Sequence, residues 1–533
     1  MSSTLRQQVW PMLRSLGIDA VFGNPGSTEL PMLNGFPKDF TYYLGLQEAA
    51  VVMMADGYAQ VTRKPVLVNL HSGPGLGNAV GSLQQALWSR APLVVTAGQQ
   101  VRDMITSENW LVNVDATTVP RPNVKWSFEP PRPQDVPAAL ARAVQTAMAP
   151  PRGPVFVSLP MDDWDMELGP GIVDDLSVRR LHGRSTLPAE SVDEIVAALQ
   201  AARNPVLVLG TAATKEPEDW RQAQLFAERA GLDVWAAPVT GFNVFDETSP
   251  WFKGFLPMAA SVIGETLADH DLVLVIGAPV FTCYPYAPGR YIAPGARLLQ
   301  ITNDPSEAAR APIGDAFLAD PGLAVAALAA TVPDRGRATP APRPAPPAPP
   351  TGANTANNFY AALAKVLPPD VRVAQEAPSS LTEFQKYVPM SQHGSFLTTI
   401  SGGLGYGVCG GVGAAIADPS RPVLIIVGDG SLQYCITALW TAAQNKAPVV
   451  FVVLNNSEYA ILKAFAAFNN QDDYIPGLNL PDLDPVDIAR GYGVPSRRVT
   501  DPEEAANLAV QALQARTPAL FELPIDPTVP PLV

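Results

Sequence analysis

The chain has 533 residues, of which 47% are hydrophobic and only 16% are charged. This length exceeds what one hydrophobic core can organise, so two to four domains are expected, and the low charge excludes an intrinsically disordered protein. The formal net charge is −14 without a dense basic run, which argues against nucleic acid as the main partner.

Cysteine usage and the N-terminal segment bear on the compartment. Three scattered cysteines, Cys283, Cys409 and Cys435, form neither a disulfide framework nor a zinc motif, which favours a reducing environment. Residues 1–17 lack the apolar core of a signal peptide, and no run reaches the roughly 18 apolar residues of a membrane-spanning helix. We therefore expect a cytoplasmic enzyme that acts on small molecules, with neither nucleic acid nor a membrane as partner.

Strand and helix signals alternate in the first part of the chain, up to about Pro160. The pattern predicts strands at residues 19–23, 42–46, 66–70, 93–97 and 155–159, and a helix at 49–62. Such alternation predicts a parallel sheet with helices on both faces, where ligands bind beyond the carboxyl ends of the strands. Ser27, Glu48 and His71 each lie just past a predicted strand, so we expect them to face one crevice.

A second α/β region is expected between about residues 184 and 332, with strands at 205–210, 271–277 and 296–302. Its loop 278–288 is rich in aromatic residues and follows a strand end, so it could reach a site. The Pro- and Ala-rich run 334–353 cannot supply the backbone donors of a sheet or helix and is expected to be a semi-rigid linker. The predicted fold class is α/β, with three doubly wound parallel-sheet domains. Their expected boundaries are 1–180, 181–335 and 354–533, with the linker at 336–353.

The stretch 423–459 carries the strongest chemical signal. An apolar strand runs into the turn GDGS at 428–431, a helical stripe follows at 436–443, and a second strand ends in Asn455-Asn456. In a right-handed strand–helix–strand unit, Asp429 and Asn456 come to the same sheet edge. A carboxylate and an amide oxygen beside glycines suit Mg²⁺ or Ca²⁺ holding a phosphate group. The alternative is an ordinary βαβ unit whose loops happen to be polar.

Each candidate also has an ordinary structural interpretation. Glu48 at a helix start and Ser27 in a Pro-Gly-Ser turn could simply cap free N–H groups. A lone histidine such as His71 is more often structural than catalytic, although the glycines beside it suggest backbone close to a ligand. The run GYGVCG at 405–410 matches the dinucleotide fingerprint, with Asp429 about 20 residues later. No clear strand precedes that run, however, and a dinucleotide leaves Asn455-Asn456 unexplained.

The GDG turn at 428–430, followed after 24 residues by Asn455-Asn456, resembles the diphosphate-binding motif of thiamine diphosphate enzymes. Gln47-Glu48 in the first domain and the linker before the third extend the resemblance over essentially the whole chain. Within that family, the chain is most similar to the benzoylformate decarboxylases. The matching segments are VFGNPGS (21–27), LQEA (46–49), NLHS (69–72), VTAGQQ (95–100), NVDA (113–116), DDWD (162–165), VLVIGAPVF (273–281), EAARAP (307–312) and ITALWTAAQ (436–444).

The resemblance implies pyrimidine-binding, central and diphosphate-binding domains, with thiamine diphosphate and Mg²⁺ as cofactors and Ca²⁺ possible in crystals. Asp429 and Asn456 would bind the metal by their side chains, and Glu458 by its backbone carbonyl. Glu48 would hydrogen-bond the aminopyrimidine ring of a cofactor held by a neighbouring subunit, so a dimer at least, and more typically a tetramer, is expected. The implied cofactor-binding residues are Asn24, Pro25, Gly26, Glu48, Gly403, Leu404, Gly428, Asp429, Gly430, Ser431, Asn456 and Tyr459.

The implied catalytic residues are Glu48, His71, Ser27 and Tyr284, and the implied substrate pocket contains Trp110, Thr398, Ile461 and Phe465. The benzoylformate decarboxylases carry a second histidine where, on our alignment, this chain has Tyr284. Phenols ordinarily titrate near pH ~10, so a tyrosine is poorly matched to proton shuttling at neutral pH. Trp110 replaces an aliphatic residue, Thr398 an aromatic one and Ile461 a small one. The bulk of Ile461 and Trp110 is expected to narrow the space for an aryl group.

We therefore expect a carboxy-lyase that decarboxylates a benzoylformate-like 2-keto acid without oxidation, giving an aldehyde and CO₂. Two alternatives stay open: a carboligase or aldehyde lyase that uses the same decarboxylated intermediate, and a low-turnover cofactor-binding scaffold. Acetolactate synthase activity is disfavoured, because the Arg-His that such enzymes place before the Gln-Glu pair is here replaced by Leu44-Gly45-Leu46.

Overall fold

The computed structural model describes residues 3–169, 171–472, 474–528 and 531–532. Three six-stranded sheets with parallel strands follow one another along the chain. Central strands are apolar at successive positions because a separate hydrophobic cluster covers each face; Leu67 and Val68 lie in different clusters and are both fully buried. The predicted α/β fold class, with three doubly wound parallel sheets, is confirmed.

The first sheet has the strand order β3-β2-β4-β5-β7-β6, and a short antiparallel pair, β1 with β8, lies outside it. Its elements are β1 (Ser3–Thr4), α1 (Leu5–Ser15), β2 (Ala20–Asn24), α2 (Leu30–Leu33), β3 (Thr41–Leu44), α3 (Glu48–Thr62), β4 (Val66–Leu70), α4 (Gly73–Trp88), β5 (Leu93–Gln99), α5 (Arg102–Ile105), β6 (Ser127–Phe128), α6 (Val136–Met148), β7 (Val155–Pro160), β8 (Glu167–Leu168) and α7 (Asp174–Val178).

The second sheet has the order β11-β10-β9-β12-β13-β14. Its elements are α8 (Ala189–Ala201), β9 (Pro205–Leu209), α9 (Pro217–Ala230), β10 (Asp233–Ala236), β11 (Phe252–Phe255), α10 (Ala260–Thr266), β12 (Leu272–Ile276), β13 (Arg297–Thr302), α11 (Pro305–Arg310), β14 (Asp315–Leu318) and α12 (Pro321–Thr331).

The third sheet has the order β16-β15-β17-β18-β20-β19. Its elements are α13 (Ala356–Val366), β15 (Arg372–Glu376), α14 (Leu381–Tyr387), β16 (Phe396–Leu397), α15 (Tyr406–Ala417), β17 (Val423–Gly428), α16 (Asp429–Tyr434), α17 (Ala438–Gln444), β18 (Val449–Asn455), α18 (Ala460–Phe468), α19 (Pro485–Gly491), β19 (Ser496–Arg498), α20 (Pro502–Ala515) and β20 (Ala519–Pro524). The predicted helical stripe begins later than Ile436, because Cys435 leaves the helical region (φ −142°, ψ 41°) and separates α16 from α17.

The first and third sheets share one topology. With the strands numbered 1–6 within each sheet, both read 2-1-3-4-6-5, whereas the central sheet reads 3-2-1-4-5-6. The order reverses between strands 1 and 3 of the outer sheets, and ligands bind at such switch points. His71 follows strand 3 of the first sheet and Asp429 follows strand 3 of the third. Two groups of predicted site residues therefore occupy equivalent places in two domains.

Helices α3 and α15 pack directly against each other across the first and third domains. A Cβ atom at Gly413 would lie 2.0 Å from the carbonyl oxygen of Met54, and one at Gly57 would lie 2.1 Å from that of Gly410. The two backbones are thus in contact, with no room for a side chain at either glycine. Because α3 begins at Glu48 and α15 begins just after Leu404, this contact fixes site residues of two domains relative to each other.

The Pro- and Ala-rich segment after α12 lies along the rest of the chain. Arg337 Nη1 donates to the carbonyl oxygen of Gly231 (3.0 Å), and Arg343 Nη2 donates to that of Glu247 (3.0 Å). Tyr387 Oη donates to the carbonyl oxygen of Pro347 (2.8 Å). The segment is therefore docked by arginine and tyrosine side chains. Among the helices in the described part of the chain, none is long and apolar enough to cross a membrane.

Candidate active site

His71 lies directly beyond β4, with its ring between a glycine and an acidic side chain. A Cβ atom at Gly26 would lie 2.1 Å from Nδ1 of His71, so only glycine leaves space for the ring. Nδ1 lies 3.0 Å from Glu29 Oε2 and 3.2 Å from Thr28 Oγ1. An ionised carboxylate only accepts hydrogen bonds, so Glu29 places the proton of the neutral ring on Nδ1. Nε2 is then the nitrogen able to accept a proton.

Glu29 is held as firmly as the ring that it contacts. Its side chain is 1% exposed, and its carboxylate accepts hydrogen bonds from the backbone N–H groups of Gly26 (2.8 Å) and Gly98 (2.8 Å). Thr28 Oγ1 donates a third bond (2.7 Å). These donors stabilise a buried carboxylate and fix its position, and the fixed carboxylate in turn orients the imidazole ring.

Glu48 is buried at the first position of α3. Its carboxylate accepts hydrogen bonds from Asn24 Nδ2 (3.1 Å) and Asn78 Nδ2 (3.0 Å). The helix-capping role considered for Glu48 is wrong, because Gln47 caps α3 through a bond from the backbone N–H of Ala50 to its side-chain oxygen (3.0 Å). The Glu48 carboxylate is therefore oriented by two side-chain amides and does not cap the helix.

The turn after β2 completes this first group. Asn24, Pro25, Gly26 and Ser27 follow one another along it, and the Ser27 side chain is exposed. Ser27 caps no helix, since α2 begins only at Leu30. Trp110 lies on the loop after α5 and is 87% exposed; its carbonyl oxygen accepts a bond from Gln100 Nε2 (3.0 Å).

A second group surrounds a cavity of about 190 Å³ at the carboxyl ends of the third sheet. The predicted site residues that line it are Leu404, Gly428, Asp429, Gly430, Ser431, Asn456, Glu458, Tyr459 and Ile461. All the other residues of its wall also come from the third domain, between Ala377 and Ile525. A Cβ atom at Gly430 would lie 2.5 Å from the Tyr459 ring, so glycine allows this close wall to form.

The surroundings of the Asp429 carboxylate show whether a metal ion would fit this cavity. The Asp429 side chain is 2% exposed, and Oδ2 has no hydrogen-bond partner among the described residues. Burial raises the pKa of Asp429 to about 6, and the nearby Glu458 charge adds to the rise. An unpaired buried carboxylate oxygen is costly, and a cation would satisfy it. Within the described residues no group of three or more His, Cys, Asp or Glu is placed to bind a metal. One carboxylate, one amide and phosphate oxygens suit Mg²⁺, which keeps few protein ligands.

The dinucleotide alternative for residues 405–410 is excluded by Glu376. The backbone N–H groups of Gly405 and Gly407, at the start of α15, donate to its two carboxylate oxygens (2.5 and 2.6 Å). Glu376 is 1% exposed, and burial raises its pKa to about 7. A pyrophosphate would need this helix N-terminus, which the carboxylate already occupies.

The segment that leads to Gly403 and Leu404 is anchored from the first domain. Gln85 Oε1, at the end of α4, accepts bonds from the backbone N–H groups of Ile400 (3.2 Å) and Ser401 (3.1 Å). Thr399 Oγ1 lies 3.1 Å from the same oxygen. The exposed Gly403 and the partly buried Leu404 therefore follow a fixed stretch of backbone.

Tyr284 of the central domain contacts a third-domain helix at a point outside the cavity wall. The loop after β12 brings its ring against Phe465 of α18, with ring centroids 4.8 Å apart. The aromatic loop thus contacts a residue of the predicted substrate pocket. Thr398 lies elsewhere: its hydroxyl donates to the carbonyl oxygen of Gln375 (2.7 Å), and it lines a separate cavity of about 820 Å³ where the three domains meet.

The two groups do not meet within one chain. The hydrogen-bond partners of the Glu48 carboxylate, Asn24 and Asn78, belong to the first domain. The wall around Asp429 belongs entirely to the third domain. The two groups are therefore separate within the chain, and we call them the Glu48 half-site and the Asp429 half-site.

Three sequence models of thiamine pyrophosphate enzymes match the chain in order. They are the N-terminal TPP binding domain at residues 3–118, the central domain at 192–328 and the C-terminal TPP binding domain at 379–523. The chain belongs to the thiamine pyrophosphate enzyme family.

Within this family, the chain is similar over its whole length to benzoylformate decarboxylases. It is 44% identical to the benzoylformate decarboxylase of Pseudomonas aeruginosa, over 99% of this chain and 100% of that protein. Its fold matches a thiamine diphosphate-dependent 4-hydroxybenzoylformate decarboxylase of Rhodococcus jostii RHA1 with a TM-score of 0.95 at 42% identity, covering 98% and 99% of the two chains. It matches the benzoylformate decarboxylase of Polynucleobacter necessarius with a TM-score of 0.96 at 38% identity, covering 99% of each chain. The predicted membership of the thiamine diphosphate-dependent decarboxylases is confirmed.

Sequence reasoning missed Glu29, Asn78 and Gln85. Glu29 stands two residues after Ser27 in a turn that the motifs already marked, so its position was a usable signal. Asn78 and Gln85 lie inside α4, where nothing local distinguishes them from surface amides. Their roles depend on contacts with Glu48 and with residues 399–401, which are distant in sequence.

Proposed function

We propose that this protein is a thiamine diphosphate- and Mg²⁺-dependent carboxy-lyase that converts a benzoylformate-like 2-keto acid into an aldehyde and CO₂. The observation that carries the proposal is the Asp429 carboxylate, buried with an unpartnered oxygen beside a cavity at a sheet switch point. Whole-length similarity to benzoylformate decarboxylases supports the same reaction.

The Asp429 half-site would hold the diphosphate end of the cofactor. Asp429, Asn456 and the backbone carbonyl of Glu458 would bind Mg²⁺, and Gly428, Gly430 and Ser431 would lie against the diphosphate. Leu404 would support the thiazolium ring from below, and Tyr459 would close the wall. When bound, thiamine diphosphate supplies a nucleophilic carbon and an acceptor for the electron pair left by CO₂.

The Glu48 half-site would manage protons. The Glu48 carboxylate accepts hydrogen bonds from Asn24 and Asn78, and it would exchange a proton with the pyrimidine ring of the cofactor. His71, with Nδ1 held by Glu29, offers Nε2 for proton transfer to the reacting carbon. The exposed Ser27 hydroxyl is free to donate a hydrogen bond to the substrate carboxylate.

The assembly would be at least a dimer, with each site built from the Glu48 half-site of one subunit and the Asp429 half-site of another; a tetramer is our expectation. Exposed apolar side chains near both half-sites support subunit contact: Leu46 and Trp110 near the first, and Tyr284 and Leu462 near the second. The three free thiols fit a reducing cytoplasm as the compartment.

A substrate panel tests the reaction. The protein, thiamine diphosphate and Mg²⁺ are mixed with aromatic and aliphatic 2-keto acids, with and without an acceptor aldehyde, and CO₂, free aldehyde and 2-hydroxyketone are measured. We expect CO₂ and free aldehyde in equal amounts from an aryl 2-keto acid, and neither when Mg²⁺ is removed by a chelator. No product from any acid would contradict the proposal and favour a cofactor-binding scaffold.

Carboligation is the second candidate, and Tyr284 is the observation that favours it. A tyrosine near the substrate pocket can donate a hydrogen bond but is poorly matched to proton delivery at neutral pH, and slow proton delivery would favour reaction with an acceptor aldehyde. If the same panel yields hydroxyketone without accumulated aldehyde, the proposed activity is carboligation and not simple decarboxylation.

A further inference from the structure

Lys463 is a cation beside the Asp429 half-site to which no predicted role was assigned. It lies on α18, and its Nζ donates hydrogen bonds to the carboxylate of Glu458 and to Asn479 Oδ1 (2.9 Å). The Glu458 side chain is largely buried, at 12% exposure, whereas that of Lys463 is 41% exposed. The lysine therefore joins the turn at Glu458 to the segment around Asn479.

The turn beneath Lys463 presents both Asn456 and the carbonyl of Glu458. Ser457 has a φ of +56°, in the left-handed region that non-glycine residues seldom adopt. Two side-chain oxygens stabilise the turn: Asn455 Oδ1 accepts from the backbone N–H of Ser457 (2.9 Å), and Asn456 Oδ1 accepts from that of Glu458 (3.2 Å). The orientation of these ligands thus depends on a strained backbone that needs outside support.

That support comes from residues 478–480. The backbone N–H of Tyr459 donates to the carbonyl of Leu478 (2.8 Å), and that of Leu480 donates to the carbonyl of Ser457 (2.8 Å). Between these bonds, Glu458 and Asn479 form an antiparallel bridge. Lys463 links the same two residues a second time, because it contacts the side chains of both Glu458 and Asn479.

We infer that Lys463 is a positioning residue for the metal turn, defined as residues 456–459. Its contacts hold 478–480 against this turn and neutralise the Glu458 carboxylate, which then does not compete with Asp429 for the cation. The inference rests on the proposed function, since it assumes a divalent cation at Asp429 and Asn456. Groups that orient the ligands of a metal typically contribute about 10–100-fold to its affinity.

Direct metal binding tests the inference. Mn²⁺ is titrated into the metal-free protein in the presence of excess free thiamine diphosphate, and free Mn²⁺ is followed by electron paramagnetic resonance. We expect Lys463→Met to raise the apparent Kd for Mn²⁺ about 10-fold, while kcat at saturating metal stays close to the wild-type value. Lys463→Arg should restore most of the affinity, because it keeps the charge and two donors.

A matched control and a second variant keep the test decisive. Lys446→Met removes the same charge from an exposed position of the same domain and should leave the Kd unchanged. Asn479→Ala, which leaves the ion pair intact, should raise the Kd by a smaller factor, and it decides the matter if Lys463→Met fails to fold. Wild-type affinity in both variants would overturn the inference while leaving the proposed function standing. Metal-independent cofactor binding by the wild type would overturn both.

Discussion

Tyr284 is the residue that we propose sets the balance between free aldehyde and hydroxyketone. Its ring packs against that of Phe465 at an interplanar angle of 38°, and Tyr284 is 62% exposed on the single chain. His71, whose Nδ1 lies 3.0 Å from Glu29, is the proposed proton carrier. In this proposal the phenol of Tyr284 is the less well-matched of the two groups.

Replacing Tyr284 by histidine should raise the rate of aldehyde formation from benzoylformate about 10-fold. This increase is smaller than the usual 10²–10⁴-fold contribution of a positioned acid–base group. The measurement is the aldehyde-forming kcat in a coupled reductase assay at neutral pH. Tyr286→His, two residues along the same loop at an 86% exposed position, is the control and should change nothing. An unchanged rate for a folded Tyr284→His variant would show that Tyr284 does not limit protonation.

Sequence patterns predict the buried elements well and the site only in part. Each strand that was predicted is present, with ends that differ by one or two residues, because strands buried on both faces appear as continuous apolar runs. Short edge strands such as β14 and β19 were not anticipated, since half-exposed strands carry a weaker pattern. The common strand order of the outer sheets was also missed, because hydrogen-bonded neighbours are a property of the fold and leave no local signal.

The contact between α3 and α15 is the element-scale feature most sensitive to a small change. Gly413→Ala would place a Cβ atom 2.0 Å from the Met54 carbonyl oxygen, so the two helices must separate. We expect a loss of about 1–3 kcal/mol in the free energy of unfolding, measured by urea denaturation. We also expect weaker cofactor retention, because α15 directly follows Leu404. Gly491→Ala, at a helical glycine with open space around it, is the control and should not destabilise. Equal stability of the two variants would contradict this account of the helix contact.

One chain holds two half-sites, each beyond the third strand of a sheet, in two domains that have the same strand order. Helices α3 and α15 pack antiparallel, with Met54 against Gly413 and Gly57 against Gly410, so that Glu48 and Leu404 lie at opposite ends of the pair. The wall of the Asp429 cavity contains no first-domain residue. The proposed complete site would then be built from two chains. In an isologous pair, each half-site meets the complementary half-site of the other subunit, so two sites form together.

Complementation between two inactive variants tests this arrangement. Glu48→Gln and Asp429→Asn should each abolish activity as homo-oligomers, but a mixed dimer has one site with both mutations and one with neither. The mixed dimers should therefore show about half of wild-type activity, because each has one intact site of two. Activity is measured after co-expression with two different affinity tags and purification through both. Glu48→Gln mixed with His71→Ala is the matched control, since both changes lie in the same half-site and no mixed dimer contains an intact site. Sites completed within single chains would give no recovery in either mixture, and that result would refute the shared-site assembly.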